Sequence, residues 1–590
     1  MIFLKRLRVL VAIVLFSLFA YYVVSPEENT LKDFGAFLVR IQFTQSFLSH
    51  ELFGIPLHVG IRSLLTILFW GGIAWFLGRI YCSAICPFGI LQDVFSRMTQ
   101  LVRGKKRKFQ YRKPMTKTRL VLFALFCIGL LTVPAFVTIL DPYSNITRIL
   151  TWLMRPVYLT FGQKLGLFNV PPYIGNIYFS GILLAVPALL IAGTLAVLYG
   201  RRYCNTICPV GTFFGLCSRY SWFKVRLNSK CVSCKLCESA CKGECIDAKN
   251  ETIDSSRCVA CFNCLSTCKR GAISYSPSFG GRKEPSKSKS EKVSRKTQNV
   301  AERLELPIFS QPTAQLVLVD NINIVNDAVQ SPRRRFLMRL GFYTFGFFSF
   351  MGLLSKKQKA DSVVASESTK SSLDSATAVL ALPQGESRIG YDDRKPILPP
   401  GARSLKHYKR HCTGCHLCVT KCPSGVIRPS TSELGMSGFM QPIIVFDTFN
   451  AMDGFYCEYE CTICSRICPT GALQPLTKEE KILNAIGKAK FLRENCVVNT
   501  QKANCAACDE HCPTKAIKMV AYDEKNYPDL VIPEIETAKC IGCGACEHVC
   551  PVRPYRAIYV DGLEQHEKAA PAFDPNAKQE EVKIEGFDFL

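Results

Sequence analysis

Four long apolar runs alternate with polar segments over the first 200 residues, at lengths typical of membrane-spanning helices. They cover residues 8–24, about 60–78, 119–138 and 177–199. Each is close to the roughly 20 residues that a helix needs to cross the hydrocarbon core of a bilayer. The first run follows a basic start but precedes no small-residue cleavage site, so we interpret it as an uncleaved span. The pattern predicts an α-helical membrane domain of four spans over residues 1–227.

Basic side chains are concentrated beside these runs, as in VRGKKRKFQYRKPMTKTR at 102–119. The 590 residues include 73 Lys and Arg against 47 Asp and Glu, a formal net charge of +26. This distribution fits the positive-inside pattern better than a nucleic-acid-binding surface, so no nucleic-acid partner is predicted. It places both ends of the four-span domain on the cytoplasmic side of a bacterial inner membrane.

One peptide occurs twice, each time directly after an apolar run. GRIYCSAICPFG at 78–89 follows the second run, and GRRYCNTICPVG at 200–211 follows the fourth. Repeats with the same orientation are related by an axis along the membrane normal, so the two loops are expected to face each other. Their cysteines are Cys82, Cys86, Cys204 and Cys208. We predict that these thiols meet and form a redox or metal site, because thiolates bind iron well; structural packing is the alternative.

A fifth apolar stretch at 331–354 resembles a twin-arginine export signal, and the residues that carry the pattern are Arg333, Arg334, Phe336 and Leu337. A basic cap on an ordinary buried helix is the alternative interpretation. Export predicts a fifth span here and a periplasmic location for everything that follows. Polar segments at 277–330 and 355–400 are predicted linkers, and 564–590 is a predicted acidic, weakly ordered tail.

The 31 cysteines fall into repeated groups, which indicates metal clusters rather than the disulfides of a small secreted scaffold. Residues 228–276 form a predicted cytoplasmic two-cluster ferredoxin domain. In such ferredoxins the fourth cysteine of one run binds the other cluster. The predicted ligand sets are Cys231, Cys234, Cys237 and Cys268 for one cluster, and Cys258, Cys261, Cys264 and Cys241 for the other. Cys245 is an alternative to Cys241, and the triplet spacing disfavours zinc.

Four further groups lie in the predicted exported domain, 401–563. Group one is Cys412, Cys415, Cys418 and Cys422, and group two is Cys457, Cys461, Cys464 and Cys468. Group three is Cys496, Cys505, Cys508 and Cys512, and group four is Cys540, Cys543, Cys546 and Cys550. Groups one and four keep the standard spacing whereas two and three are stretched. We therefore expect group one to pair with four and group two with three.

The stretch CTGCH at 412–416 also fits the pattern for covalent c-type haem. Cys418 and Cys422 continue the ferredoxin spacing and the sister groups lack the histidine, so a cluster is the preferred interpretation. Six predicted [4Fe-4S] clusters and the four cysteines of the duplicated loops leave three cysteines as packing residues or spare ligands, namely Cys127, Cys217 and Cys245. The predicted fold class is an α-helical membrane domain plus α+β ferredoxin-like domains, in a multi-domain iron-sulfur protein.

Residues 1–276 resemble the NapH-type membrane ferredoxin that accompanies periplasmic nitrate reductase, a family with four spans and paired C-x3-C-P loops. Residues 331–562 resemble its exported four-cluster partner of the NapG type, through the twin-arginine stretch, LPPGA at 398–402 and CIGCGACEHVCP at 540–551. The resemblance implies a fusion that takes electrons from the membrane quinol pool and passes them to an exported reductase or cytochrome of anaerobic respiration. The chain departs from the family by this fusion and by the lysines, in place of proline, after Cys241 and Cys268.

The leading hypothesis is a quinol dehydrogenase-like electron-transfer protein that relays electrons to a periplasmic reductase. The alternatives are a maturation or regulatory redox factor for an exported metalloenzyme, and electron entry from a cytosolic ferredoxin. No Rossmann or P-loop pattern is evident. Quinol oxidation releases protons, so the candidate quinol-site residues are titratable groups at the outer ends of the spans. These are Glu51 and His58, with His50 and Asp141 as further candidates; ordinary interfacial polar residues are the alternative.

Overall fold

The structure is a computed structural model that describes most of the chain outside one long central segment. The described residues are 2–25, 32–49, 51–52, 55–56, 59–102, 109–132, 139–165, 179–228, 230–277, 390, 393–446, 456–523 and 525–572. The predicted twin-arginine stretch at 331–354 lies outside them. So do most of both predicted linkers and most of the predicted tail.

Residues 2–219 are mainly helical. Within the described residues, three helical segments are long and apolar enough to cross a membrane, namely Phe3–Val24, Gly60–Leu77 and Gly181–Tyr199. The third predicted span forms a shorter helix, Thr116–Thr132, and residues 133–138 lie outside the described part of the chain. The helices are Ile2–Val24, Lys32–Arg40, Phe43–Leu48, Val59–Leu77, Pro87–Val102, Thr116–Thr132, Pro142–Ile149, Arg155–Lys164, Phe179–Tyr199, Arg202–Thr206 and Pro209–Arg219, with π-helical turns at Tyr81–Ile85 and Leu150–Met154 and a short hairpin of Glu51–Leu52 and Ile55–Pro56.

The first ferredoxin region, residues 223–277, is a small α+β unit. Its strand Phe223–Leu227 pairs antiparallel with Ile273–Pro277, and Ile246–Asp247 pairs with Thr252–Ile253. Two one-turn helices, Leu236–Ala240 and Asn263–Thr267, pack against each other. Each helix ends at the fourth cysteine of its run. The turn of the chain at that point directs the thiols of both runs toward the interior that the two helices share.

The second ferredoxin region, residues 393–572, joins short helices with three antiparallel strand pairs. The strand pairs are Ile427–Pro429 with Pro442–Ile444, Asn484–Phe491 with Ile558–Lys568, and Ile517–Asp523 with Tyr527–Ile535. The helices are Leu405–His411, Leu417–Lys421, Ile463–Ile467, Lys478–Ile482, Val497–Gln501, Ala507–Glu510 and Ala545–Val549, with 3-10 turns at Met436–Gly438 and Arg493–Asn495.

This region extends past both predicted boundaries, 401 and 563. Ile397 is 1% exposed, and its carbonyl accepts a hydrogen bond from Ile444 N at 2.8 Å. The last strand continues to Lys568, which pairs with Asn484. Backbone hydrogen bonds therefore hold residues at both ends of this region in the fold, although their polar composition predicts a linker and a tail.

The two ferredoxin regions contact opposite ends of the helix Ile2–Val24. Near its start, Lys5 Nζ donates to Ser266 Oγ of the first region at 2.9 Å. Just past its end, the carbonyl of Ser25 accepts from Lys421 Nζ of the second region at 2.6 Å. A helix of 23 residues is about 35 Å long, which matches the thickness of a bilayer core.

The second ferredoxin region is held against the segment 142–154 by buried polar contacts. Arg148 Nε donates to Gly414 O at 2.8 Å, and Trp152 Nε1 donates to His416 Nδ1 at 2.8 Å. The hydroxyls of Thr151 and Thr420 lie 2.8 Å apart. One hydrophobic core continues across this contact. Direct packing, rather than the long tether before it, thus positions this region.

Candidate iron-sulfur sites and a four-thiol site

The two duplicated peptides fold into matching loops. Each begins at a glycine with positive φ, 73° at Gly78 and 69° at Gly200, a conformation that favours glycine. In each, the proline after the second cysteine begins the next helix, as proline commonly does because that position needs no backbone N–H. Cys208 caps its helix by accepting from Gly211 N at 3.3 Å, and the amide of Gly89 faces Cys86 in the same way.

A buried arginine from each loop crosses to the other. Arg79 Nη2 donates to the carbonyl of Cys204 at 3.0 Å, and Arg201 Nη1 donates to the carbonyl of Cys82 at 2.6 Å. Each guanidinium also approaches the sulfur of its own loop, Cys82 at 4.0 Å and Cys204 at 3.9 Å. Both arginines are 0% exposed. Because each arginine bonds to the opposite loop, the two loops have a local two-fold arrangement that the sequence alone does not reveal.

The four thiols of these loops lie together, and we call them the four-thiol site (Cys82, Cys86, Cys204 and Cys208). Burial raises the pKa of Cys86, and the nearby sulfurs of Cys82 and Cys204 add to this effect. Gln92 Nε2 lies 3.3 Å from Cys204 Sγ, within hydrogen-bond range. Two helix N-termini and two arginines face the sulfurs, and the arginines offset part of the rise that burial causes in the pKa of Cys82.

The four-thiol site adjoins the first ferredoxin region through backbone contacts. Arg79 Nη1 donates to Ser256 O at 3.1 Å, and Arg201 N donates to Lys242 O at 2.9 Å. The Arg201 side chain and Lys242 both pair with Asp93, at 2.9 Å and 3.2 Å. Although burial opposes it, these cations hold the pKa of Asp93 well below its ordinary value. The acid therefore remains charged and ties the two parts together.

The first ferredoxin region brings one thiol set around a small cavity. The cavity is lined by five cysteines, namely Cys241, Cys245, Cys258, Cys261 and Cys264. This is the crossed arrangement, with the fourth cysteine of the first run beside the second triplet. In the other set, burial raises the pKa of Cys237 to about 11, and Cys231 and Cys234 contribute to the rise. We name the two sets site 1 (Cys231, Cys234 and Cys237, with Cys268 as the predicted fourth ligand) and site 2 (Cys258, Cys261, Cys264 and Cys241).

In the second ferredoxin region, the predicted pairing of group one with four and group two with three is wrong. Burial raises the pKa of Cys412 to about 12, and the nearby sulfurs of Cys468 and Cys415 contribute to it. Burial likewise raises the pKa of Cys461 to about 11, with contributions from Cys457 and Cys422. Groups one and two therefore exchange fourth cysteines. They form site 3 (Cys412, Cys415, Cys418 and Cys468) and site 4 (Cys457, Cys461, Cys464 and Cys422).

Groups three and four exchange fourth cysteines in the same way. One cavity is lined by the thiols of site 5 (Cys540, Cys543, Cys546 and Cys512), and another by those of site 6 (Cys496, Cys505, Cys508 and Cys550). The extra residues that lengthen the spacing in groups two and three lie in loops between the cysteines. They do not change which cysteine groups pair. Groups that are neighbours along the chain pack together, so spacing is a poor guide to partners.

Sites 3 to 6 follow one another through the second ferredoxin region. Sites 3 and 4 share a unit, as do sites 5 and 6, because of the exchanged cysteines. The two units meet where Cys457 N of site 4 donates to Cys543 O of site 5 at 2.9 Å. This order leaves site 3 against the helical domain and site 6 at the far end, where Cys505 and Cys508 are half-buried.

Backbone amides point at the sulfurs in these sites. Gly414 N lies 3.4 Å from Cys412 Sγ, Ala516 N lies 3.3 Å from Cys512 Sγ, and Ala557 N lies 3.4 Å from Cys550 Sγ. Amide hydrogen bonds to sulfur are among the means by which proteins set cluster potentials. Among the described residues, no three His, Cys, Asp or Glu side chains are arranged around one metal ion. The separated sulfurs around a cavity fit a cube of four irons, each taking one sulfur.

The alternative of a haem at CTGCH does not fit the position of His416. This ring is 0% exposed, and its Nδ1 accepts from Trp152 while its Nε2 lies 2.9 Å from Met440 O. Burial lowers its pKa to about 3, so the ring is neutral and Nε2 carries the proton that it donates. Both nitrogens are therefore engaged, and the histidine anchors the second ferredoxin region instead.

The candidate quinol-site residues separate into two sets. His50 and His58 lie outside the described residues, and Glu51 is described only as part of a short strand. Asp141 is fully buried at the start of the helix Pro142–Ile149, where its Oδ2 accepts from Ser144 N at 2.8 Å. Burial raises its pKa, although hydrogen bonds to the carboxyl from Ser144, Thr44 and the backbone of Tyr143 oppose the rise.

Asp141 lies between the four-thiol site and site 3. It is near Tyr81 and Tyr203, the residues just before the first cysteine of each loop, and near Tyr143. Burial, followed by the nearby sulfur of Cys415, raises the pKa of Tyr143, whose hydroxyl has no hydrogen-bond partner among the described residues. Sequence reasoning did not single out these tyrosines, although two of them occupy the same position of a duplicated peptide.

The remaining cysteines lie away from these sulfur sets. Cys127 is exposed on the helix Thr116–Thr132, and Cys217 is half-buried on the helix Pro209–Arg219. Their positions fit a packing role.

Family models match four stretches of the chain. A 4Fe-4S binding domain matches residues 59–110 and again 180–230, which are the two span-and-loop repeats. 4Fe-4S dicluster domains match residues 411–473 and 502–554. The two dicluster matches coincide with sites 3 and 4 and with sites 5 and 6.

Several curated proteins are similar to parts of the chain. An uncharacterized protein of Methanocaldococcus jannaschii is 28% identical over 206 residues, which is 35% of this chain and 67% of that protein. The methylamine utilization ferredoxin-type protein MauN of Paracoccus denitrificans is 30% identical over 28% of this chain and 48% of its own length. The putative electron transport protein YccM of Escherichia coli is 25% identical over 29% of this chain and 43% of its own length.

The chain thus spans between 43% and 67% of the lengths of these relatives. No solved structure is significantly similar to it. The thiol sites, the family models and the relatives agree on the chemistry. The chain contains several 4Fe-4S ferredoxin-type domains and is distantly related to ferredoxin-type electron transport proteins.

Proposed function

We propose that the chain is an inner-membrane protein that oxidises quinol and relays electrons to an exported reductase or cytochrome. The observation that carries this proposal is the position of the ferredoxin regions at opposite ends of the helix Ile2–Val24, which is long enough to cross a bilayer. Such an arrangement suits transfer of electrons between the two sides of a membrane. The likeness to ferredoxin-type electron transport proteins supports it.

Each of sites 1 to 6 holds a [4Fe-4S] cluster in this proposal, and a bound cluster accepts and releases single electrons. The protein supplies the thiols, the amides that face the sulfurs and the fixed order of the sites. The four-thiol site is a further metal centre or a reversible dithiol pair between the first ferredoxin region and site 3. Electrons leave from site 6, whose half-buried thiols are farthest from the helical domain along the order of sites.

Asp141 is the residue best placed to accept a proton from quinol. Its carboxyl is fully buried, and this burial raises its pKa toward the range in which it can take up a proton. Tyr143 lies between Asp141 and site 3, because its ring is near Asp141 and near the site 3 thiols Cys415 and Cys468. An electron acceptor and a proton acceptor thus lie together, as quinol oxidation requires. Glu51 and His58 stay as predicted alternatives at the outer ends of the spans.

Replacing Asp141 with asparagine should slow quinol-dependent reduction of the clusters by about 100-fold or more, the typical contribution of a general base. Asparagine caps helices as well as aspartate does, so the helix Pro142–Ile149 should persist. In the wild type, the rate should fall as the pH falls through the raised pKa of Asp141, because protonation removes the acceptor. The asparagine variant should lose that dependence. Stopped-flow reduction by a soluble quinol measures both.

Ser144→Ala is the matched control, since it removes one cap partner but keeps the carboxyl. Dithionite should still reduce every cluster in both variants. Wild-type quinol kinetics in Asp141→Asn would remove Asp141 as the acceptor. Loss of quinol oxidation in a Glu51→Ala, His58→Ala variant would then favour those residues.

A reporter that is active only in the periplasm, fused after residue 400, should be active in cells. The physical reason is the twin-arginine-like stretch at 331–354, whose paired arginines precede an apolar segment. Changing Arg333 and Arg334 to lysine should abolish the activity while expression continues. Activity of a cytoplasmic reporter at the same junction would contradict the location proposed for sites 3 to 6.

A maturation or regulatory redox factor is the main alternative, and it predicts different kinetics. Such a factor reduces its partner once, whereas a respiratory component must cycle. Sustained, quinol-dependent reduction of sites 3 to 6 over many turnovers therefore supports the proposed function. A single turnover followed by arrest would favour maturation.

A further inference from the structure

Site 2 contains one more thiol than a [4Fe-4S] cluster needs. Five cysteines line its cavity, and Cys245 is among the most deeply buried, at 1% exposure. Its sulfur lies 3.5 Å from that of Cys241, the fourth cysteine of the first run. Cys245 also lies within hydrogen-bond range of Cys258 in the second triplet. Two thiols thus compete for one corner of the site.

The sister loops show what normally occupies the position of Cys245. It is the fourth residue after the fourth cysteine of a run, and the equivalent residues in four of the five sister loops are Ala272, Val426, Ala472 and Ala516. The preceding residue has a positive φ in these loops and in that of Cys245, which shows that the five share one conformation; the loop after Cys550, with Pro554 at this position, differs. The residues with positive φ are Glu244 (51°), Gly271 (61°), Gly425 (65°), Gly471 (70°) and Lys515 (49°).

This position faces the sulfur of the fourth cysteine. Ala272 N lies 3.3 Å from Cys268 Sγ, and Ala516 N lies 3.3 Å from Cys512 Sγ. The amide of Cys245 faces Cys241 in the same manner. The side chain in the sister loops is a small apolar group that packs there. Only here, among these five loops, is it a group that can bind iron.

We propose that Cys241 and Cys245 are an exchangeable pair of ligands for the cluster at site 2. In the exchange, the bond from iron to the Cys241 sulfur breaks and a bond to the Cys245 sulfur forms. Cys245 loses its thiol proton as it binds, and Cys241 takes up a proton as it leaves. No electron is gained or lost, and the close approach of the two sulfurs allows the proton to pass directly.

The exchange takes place beside the four-thiol site. The segment between the two cysteines accepts hydrogen bonds from the second duplicated loop, where Arg201 N donates to Lys242 O at 2.9 Å and Asn205 Nδ2 donates to Gly243 O at 3.1 Å. Because Cys241 and Cys245 flank this segment, a change of ligand from one to the other shifts the backbone between them. The hydrogen bonds transmit that shift to the loop that holds Cys204.

The test is the iron content and the electron paramagnetic resonance spectrum of anaerobically purified, dithionite-reduced variants. Cys241→Ala should keep its iron and show an altered site 2 signal, because Cys245 takes over as ligand. Cys245→Ala should also keep its iron. The double variant should lose roughly four irons per chain, one whole cluster. Alanine is chosen because serine can itself bind iron.

Cys268→Ala is the matched control, since its loop carries Ala272 and has no reserve thiol. It should lose the iron of site 1. The proposal is overturned if Cys241→Ala loses as much iron as the double variant, or if Cys245→Ala alone loses the cluster. Unchanged signals from sites 3 to 6 show that each variant is folded. Since dithionite is the reductant, the result does not depend on quinol oxidation and stands or falls separately from the proposed function.

Discussion

Replacing Cys82 and Cys204 with alanine should cut the electronic connection between the two ferredoxin regions. Quinol should still reduce sites 3 to 6, beside which Asp141 lies, but it should no longer reduce sites 1 and 2. The reason is distance. Without the four-thiol site, the two sets of clusters are separated by much of a hydrocarbon core of about 30 Å. Stopped-flow reduction combined with spectra of the individual sites measures this.

Metal content gives a second measurement on the same variant. Six clusters contain 24 irons, so wild-type protein purified without oxygen should hold metal beyond that number if the four-thiol site is a metal centre. The double variant should lose the excess and keep the six ferredoxin signals. Unaltered metal together with unaltered transfer would assign these thiols to packing. Cys127→Ala with Cys217→Ala is the matched control, because both thiols lie outside every site.

Replacing Cys468 with alanine should stop quinol-dependent reduction of the whole second ferredoxin region. This thiol completes site 3, where electrons enter from the helical domain. Loss of that cluster, roughly four irons, leaves sites 4 to 6 without a donor. Cys550→Ala should have a different effect, because it completes site 6 at the far end. Sites 3 to 5 should then still be reduced, while transfer to an external acceptor ends.

The two variants also test the pairing of the cysteine groups. If group one paired with four, Cys550 would complete the site beside the helical domain, and its loss would give the larger effect. Dithionite reduction of the remaining clusters shows whether each variant is folded. Equal effects of the two substitutions would contradict the linear order of sites.

Features that depend on a short stretch of chain could be predicted from the sequence. Cysteines two or three residues apart reach one cluster whatever lies around them, so the triplets of every site are visible in the spacing. The duplicated peptides are likewise visible, because each forms its own turn and begins its own helix at Pro87 or Pro209. Of the four predicted spans, three form helices that are long and apolar enough to cross a membrane in the described part of the chain, and the run at 119–138 does not.

Which triplet receives which fourth cysteine depended on the tertiary structure, because that cysteine crosses to a neighbouring group. The same holds for His416, whose place in a haem-like motif is overruled by its contact with Trp152. Arg79 and Arg201 also act across the repeat, so their roles are invisible in either copy alone. Asp141 looked like one of several interfacial acids until burial set it apart. Local spacing determines which cysteines within one turn bind a cluster together. Packing between distant segments decides which turns face each other. Such packing cannot be predicted from the sequence, because contacts between two distant segments leave no periodic pattern in it.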